Sequence, residues 1–211
     1  NWVLWAVQQV MGPRIESFLL VKYAALIATA GFLYLAAFRA IGDHLWAMLS
    51  VESLALIYQI SWRYHEGFTH EVGAMVAVAA TLWALLKVAD LGRTVDFALL
   101  GLTCGLGLLT EPAYAVFLVA LFLAAALQPA MRARIMRRRL LWTAVIAGAS
   151  VAPYLVWLAE DGHRLAAFAR PASDRWWDTL KGLADAVRGP FFYLAPLILI
   201  LPILFPGFGR A

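Results

Sequence analysis

The chain has 211 residues, 64% of them hydrophobic and 14% charged, with a formal net charge of +4. Soluble domains are nearer half apolar and a quarter charged, and they do not bury several apolar runs of about 20 residues each. The composition therefore excludes an ordinary soluble enzyme. It also makes a nucleic-acid partner unnecessary, because arginines gathered at the cytoplasmic ends of membrane spans account for the basic balance.

The chain opens on an interfacial stretch, residues 1–11, in which Trp2 and Trp5 stand among Asn and Gln before Gly12-Pro13 stops it. There is no initiator Met and no charged n-region at Asn1, so no signal peptide is visible and a piece of a longer protein is expected. Residues 17–38 form the first crossing, apolar except for Lys22. Residues 44–62 form the second, with Glu52 near mid-span, and 69–86 the third, with Glu71 near its start. The run 95–127 is too long for one span. Thr110-Glu111-Pro112 interrupts it, and Pro is at home only in a helix's first turn. Two short antiparallel helices, about 95–109 and 112–127, follow from that break. Residues 140–158 form another crossing, and 191–205 start a last one, cut short or broken by Pro196 and Pro202. Between them Ser173 caps a possible interfacial helix, with Trp176, Trp177, Leu180, Leu183 and Val187 on one face. A plain surface helix fits that stretch as well. The reading is an all-α polytopic transmembrane helix bundle of about seven crossings, a single transmembrane domain over 1–211.

The connections then alternate sides. Residues 39–43, 87–93 and 131–139 share one side, and the last carries Arg132, Arg134, Arg137, Arg138 and Arg139 without an acid. The positive-inside rule makes that side cytoplasmic. Residues 1–16, 63–70, 110–112 and 160–190 lie on the other. The single cysteine, Cys104, sits in an apolar run, so no disulfide forms within the chain. Gly101, Gly105 and Gly107 have neither a preceding strand nor a following Lys. They read as close-packing positions between membrane helices rather than as a phosphate loop.

Ionisable residues at the membrane are costly and mark candidate sites. Arg63, His65, Glu66, His70 and Glu71 crowd one short outer loop that runs into a helix start, with Thr69 placed to cap it. On a helix His65 and His70 would stand about 140° apart, which speaks against a zinc-protease pair. Glu111 marks the other outer break, beside a second helix N-terminus facing outward. Two such termini attract a phosphate. The bland alternatives are a solvated polar loop and a helix-capping acid. Lys22 either reaches Glu52 or snorkels outward, leaving Glu52 protonated or otherwise paired.

Four stretches carry a resemblance to a known family. They are Asn1-Trp2-Val3-Leu4-Trp5 with Gly12-Pro13, Ala36-Ala37-Phe38-Arg39 with Gly42, Thr69-His70 opening a helix, and Gly101, Gly105, Gly107 with Leu108-Leu109-Thr110. Over about residues 1–170 the chain resembles bacterial membrane glycosyltransferases of the GT-C superfamily, the family 39-like branch related to protein O-mannosyltransferases and the lipid A aminoarabinose transferase. The resemblance implies a polyprenyl-phosphate-linked sugar as donor and a lipid, protein or glycan acceptor on the outer face of the inner membrane, with membrane lipid around the chain. It implies a carboxylate general base in the first outer loop, upstream of Asn1, so no catalytic residue is assigned within this chain and the chain alone is expected to be inactive. Substrate-binding residues are then Arg63, His65, Glu66, His70 and Glu111. Many relatives carry Lys where this chain has Glu111, and Arg63 would take over that contact to phosphate. No cofactor is implied with certainty, and a divalent metal stays open. The rival reading is a transporter or permease, with Glu52, Lys22 and the break at Pro112 lining a path, although no repeated halves are visible. A non-catalytic assembly partner is the third.

Overall fold

The computed structural model describes residues 2–57, 70–111 and 113–168, together with Lys181, Ala184 and Arg188. Side chains at Trp2, His70, Glu71 and 161–168 are outside that description. The described residues are helical, with no strand among them. The helices are α1 (Trp2–Met11), α2 (Ile15–Ile41), α3 (His44–Glu52), α4 (His70–Leu91), α5 (Thr94–Thr110), α6 (Tyr114–Leu127), α7 (Pro129–Ile135) and α8 (Leu140–Phe168). The chain forms two compact units, one of residues 1–51 and 68–159, the other of 52–67 and 160–211.

Local chemistry sets the helix ends. Gly12 and Gly42 adopt the left-handed conformation, φ 79° and 77°, that residues with a Cβ avoid. Gly42 caps α2 by donating its N–H to the Phe38 carbonyl at 2.8 Å. Asp43 then accepts the Trp46 N–H at 3.0 Å and starts α3. The break in the long apolar run falls where Pro112 required: α5 ends at Thr110 and α6 begins at Tyr114. Beyond Leu127 the chain turns by 110°, so α7 departs from the axis of α6. Pro129 occupies the first turn of α7, where its missing N–H costs nothing.

Two features depart from the expected spans. The second crossing is interrupted: α3 stops at Glu52, a 3₁₀ turn follows over Ser53–Leu56, and Ile57 is extended. Glu52 is therefore an exposed helix-end residue within the described part of that segment, and such a tightened turn commonly marks a break in a membrane helix. The other departure is α8, which continues through Pro153 to Phe168, ten residues beyond the expected end. Neighbouring groups can satisfy the carbonyl that a proline frees in a membrane helix. The final crossing expected at 191–205 and the interfacial helix near 173–187 fall outside the described residues, apart from the helical positions Lys181, Ala184 and Arg188.

Among the described residues, three helices are long and apolar enough to cross a membrane: Ile15–Ile41, Val72–Leu91 and Leu140–Glu160. α5, with 17 residues, spans about 26 Å at 1.5 Å per residue, near the lower limit for a crossing. The first unit is organised around α4, which packs along α2 on one side and α5 on the other. Phe32 of α2 meets Trp83 of α4 at 5.4 Å between ring centres. Ala84, Leu85 and Val88 of α4 join Phe97, Leu100 and Cys104 of α5, Ala125 of α6 and Ile135 of α7 in one core. Large apolar side chains also face outward, Ile27 at 72% exposure and Leu141 at 69% among them. Lipid, unlike water, leaves such a surface without penalty. The chain is an all-α membrane protein.

The glycines read as packing positions act in that way. A Cβ on Gly101 would lie 2.6 Å from the Thr143 carbonyl oxygen of α8, and one on Gly105 would lie 2.6 Å from Ser150 Cβ. Spaced by four, these two residues form the strip on which α8 lies against α5. Thr143 Oγ1 donates across it to the Phe97 carbonyl at 2.9 Å.

Candidate functional site at the helix ends

Residues 39–43, 87–93 and 131–139, expected on one side, meet at one end of the first unit. Arg39 Nη1 lies 3.2 Å from Asp90 Oδ2. Arg139 Nη1 donates to the Gly92 carbonyl at 2.5 Å. Asp96 opens α5 with its side chain fully buried and is held by Arg93 Nε at 3.0 Å and Lys87 Nζ at 3.5 Å. Arg93 also donates its backbone N–H to Asp96 Oδ2 at 3.1 Å. That hydrogen-bonded carboxylate pushes the Arg93 guanidinium above its ordinary pKa. Sequence reasoning passed over Asp96; an acid three residues into a helix that follows Arg93 was the available signal. Two acids at this end, Asp90 and Asp96, are thus both held in ion pairs.

The opposite end carries the candidate site. α4 starts there, and α5 finishes there. One turn into α4, a methyl on Gly73 would sit 3.4 Å from Thr110 Cγ2, so the first turn of α4 touches the last residue of α5. Thr110 turns its hydroxyl back to the Gly107 carbonyl at 2.6 Å. Glu111 follows in an extended conformation, φ −155° and ψ 130°, and its N–H also reaches Gly107 O, at 3.3 Å. Its carbonyl accepts the Tyr114 N–H at 3.1 Å. Glu111, expected beside the N-terminus of the following helix, instead caps the end of the preceding one, at the negative pole of the α5 dipole, and is half-buried.

Tyr114, another residue the sequence reading did not single out, locks this hairpin. Its ring lies against Gly107, where a Cβ would collide with it. Its hydroxyl is 2.5 Å from Thr81 Oγ1 and 3.5 Å from the Ala77 carbonyl of α4. A tyrosine at the first helical position after a break was the signal available for it. The hairpin 110–114 is thus fastened to α4 by one buried aromatic anchor.

Of the five candidate binding residues, His70 is the first residue of α4 and Glu111 caps α5, so the two stand at the same end of adjacent helices. Arg63, His65 and Glu66, like the proposed cap Thr69, lie outside the described residues. The N-termini of α4 and α6 both open at this end, and the positive poles of their dipoles favour an anion. Lys22 is buried in α2, its ammonium 5.9 Å from the Tyr23 ring centre. Among the described residues no three His, Cys, Asp or Glu side chains gather as a metal site would need.

An all-helical membrane bundle with a glycine-packed helix before a short polar hairpin defines the class, a membrane protein of several spans. Its family is shown by comparison: the family model for dolichyl-phosphate-mannose-protein mannosyltransferase matches residues 1–157. The chain belongs to that family. Among curated proteins it is similar to the lipopolysaccharide core galacturonosyltransferase RgtA of Rhizobium johnstonii, 27% identical over 158 residues, covering 75% of this chain and 32% of the relative. The lipopolysaccharide core galacturonosyltransferase RgtB of the same organism is 24% identical over 161 residues, covering 76% and 33%. The chain spans about a third of the length of these curated relatives. No solved structure matches it.

Proposed function

We infer that this chain is part of a membrane glycosyltransferase of the GT-C type, which takes a sugar from a polyprenyl-phosphate donor and places it on an acceptor at the outer face of the inner membrane. The match of the mannosyltransferase family over residues 1–157 carries this reading. The names of the two relatives add a lipopolysaccharide core as the acceptor class to test first, ahead of a protein or another glycan.

The donor's phosphate would sit above the paired ends of α4 and α5. Arg63 would be its charge partner, because a guanidinium matches two phosphate oxygens at once. His65 and His70 would orient sugar or acceptor hydroxyls, or hold a divalent metal. Glu66 and Glu111 would accept hydrogen bonds from sugar hydroxyls, since a carboxylate repels phosphate. The contact of Gly73 with Thr110 supports this grouping, because it sets Glu111 beside the first turn of α4.

The test is transfer of a labelled sugar from polyprenyl phosphate in membranes carrying the full-length protein. Arg63→Ala and Glu66→Ala should each lower turnover at least 10-fold, about 1.4 kcal/mol of transition-state stabilisation. Expression and thermal stability should hold, because loop substitutions rarely cost more than about 0.5 kcal/mol. Full activity in both variants would remove the site assignment.

A further inference from the structure

At the end of the first unit opposite the candidate site, a cleft of about 330 Å³ opens between the last turn of α4 and the arginines that follow α6. Its walls are Val88 to Gly92 on one side and Arg134 and Arg137 on the other. We propose that this cleft holds the phosphate headgroup of an anionic phospholipid from the cytoplasmic leaflet.

Charge argues for an anion. Asp90 is the acid lining the cleft, and Arg39 holds it at 3.2 Å. Arg137 makes a local contact to the Ala133 carbonyl at 3.4 Å, and Arg139 is fixed on Gly92 O. Arg134 has no ion-pair or hydrogen-bond partner among the described residues. Two guanidinium groups, Arg134 and Arg137, therefore line the cleft beside one carboxylate that Arg39 already pairs. Arg134 and Arg137 stand three residues apart, within reach of one phosphate group, whose oxygens suit their planar forks.

Position argues for a lipid rather than a free solute. The 110° turn after Leu127 diverts α7 from the α6 axis, and the fully buried Ile135 pins it to the core. The arginines are thereby held at the ends of the helices and not on a free loop. At the starts of α3 and α8, Trp46 and Trp142 are 45% and 52% exposed, as residues of an aromatic belt at a membrane interface are. Basic side chains at that depth draw anionic headgroups. The proposal rests on this rim facing the cytoplasm, and it is independent of the glycosyltransferase reading.

The full-length protein in detergent, titrated with short-chain phosphatidylglycerol and phosphatidylethanolamine and read by native mass spectrometry, tests it. The wild type should retain the anionic lipid preferentially. Arg134→Gln should weaken that retention roughly 5-fold and the Arg134→Gln/Arg137→Gln pair about 25-fold, at about 1 kcal/mol per arginine. Arg132→Gln, which does not line the cleft, should change it less than about 2-fold. Arg134 has no partner to lose, so its single variant keeps the fold if the double one does not. Equal retention of both lipids by the wild type would overturn the proposal. So would a loss in Arg132→Gln matching that in Arg134→Gln, or displacement of the lipid by glycerol phosphate at equal concentration, which would make the ligand a soluble phosphate.

Discussion

Replacing Gly101 by Ala probes the α5–α8 contact directly. The new Cβ would lie 2.6 Å from the Thr143 backbone oxygen, where ordinary contact begins at 3.4 Å. The obstacle is backbone, so no side chain can swing aside, and the helices must part by about 0.8 Å, the difference between those two distances. The hydrogen bond from Thr143 to Phe97 O, now 2.9 Å, would then open to about 3.7 Å, beyond hydrogen-bonding range. Overpacking costs about 1–3 kcal/mol, and a lost interhelical bond in a membrane about 0.6 kcal/mol. Ala regains about 1 kcal/mol of helix propensity over Gly. The net expectation is a loss of about 0.6–2.6 kcal/mol by the same principles. Gly148→Ala is the control, because nothing lies within 4 Å of the added methyl. It keeps the propensity gain alone and should stabilise by about 0.5–1 kcal/mol. Reversible unfolding in mixed micelles with rising sodium dodecyl sulfate measures both, and opposite signs are expected. If Gly101→Ala is as stable as the wild type, or if Gly148→Ala loses as much, α5 and α8 do not touch at this strip.

Topology is checked by cysteine labelling from outside intact cells: a cysteine at Asp174 should react and one at Arg134 should not, with native Cys104 silent because it is buried. The reverse pattern would invert the chain. Asp96→Ala removes the buried carboxylate that Lys87 and Arg93 hold, and should cost about 1.5–3 kcal/mol, the cost of hydrogen bonds to a charged group, since both cations it leaves can reach solvent. Unchanged unfolding in the same micelle assay would show the pair to be dispensable. Tyr114→Phe keeps the ring on Gly107 but takes the hydroxyl from Thr81, and a loss of about 1–2 kcal/mol is expected. In that variant Thr81→Val should restore part of the loss, since removing both partners leaves no stranded polar group; no recovery would argue against the bond.

Much of this protein was determined by its sequence alone. Gly12-Pro13, Gly42 and Glu111-Pro112 punctuate the helices where local backbone chemistry requires it, because a helix end depends on neighbours within one turn. The acid-free arginine run and the shared side of three connections followed from charge counting, which needs no contacts. The pairing of helices was a different matter. Gly101 and Gly105 announced a close approach, but not that α8 would make it, since lipid supplies no hydrophobic direction and van der Waals fit between distant segments decides the partner. The stop at Glu52, the turn after Leu127 and the run of α8 through Pro153 were likewise not legible, because each leaves backbone groups that only tertiary neighbours can satisfy. At the candidate site, Glu111 was recognisable as a charge at a break. Its place at the end of α5, beside the first turn of α4, came only from Tyr114 reaching across to Thr81, a hydrogen bond between residues 33 apart in the chain.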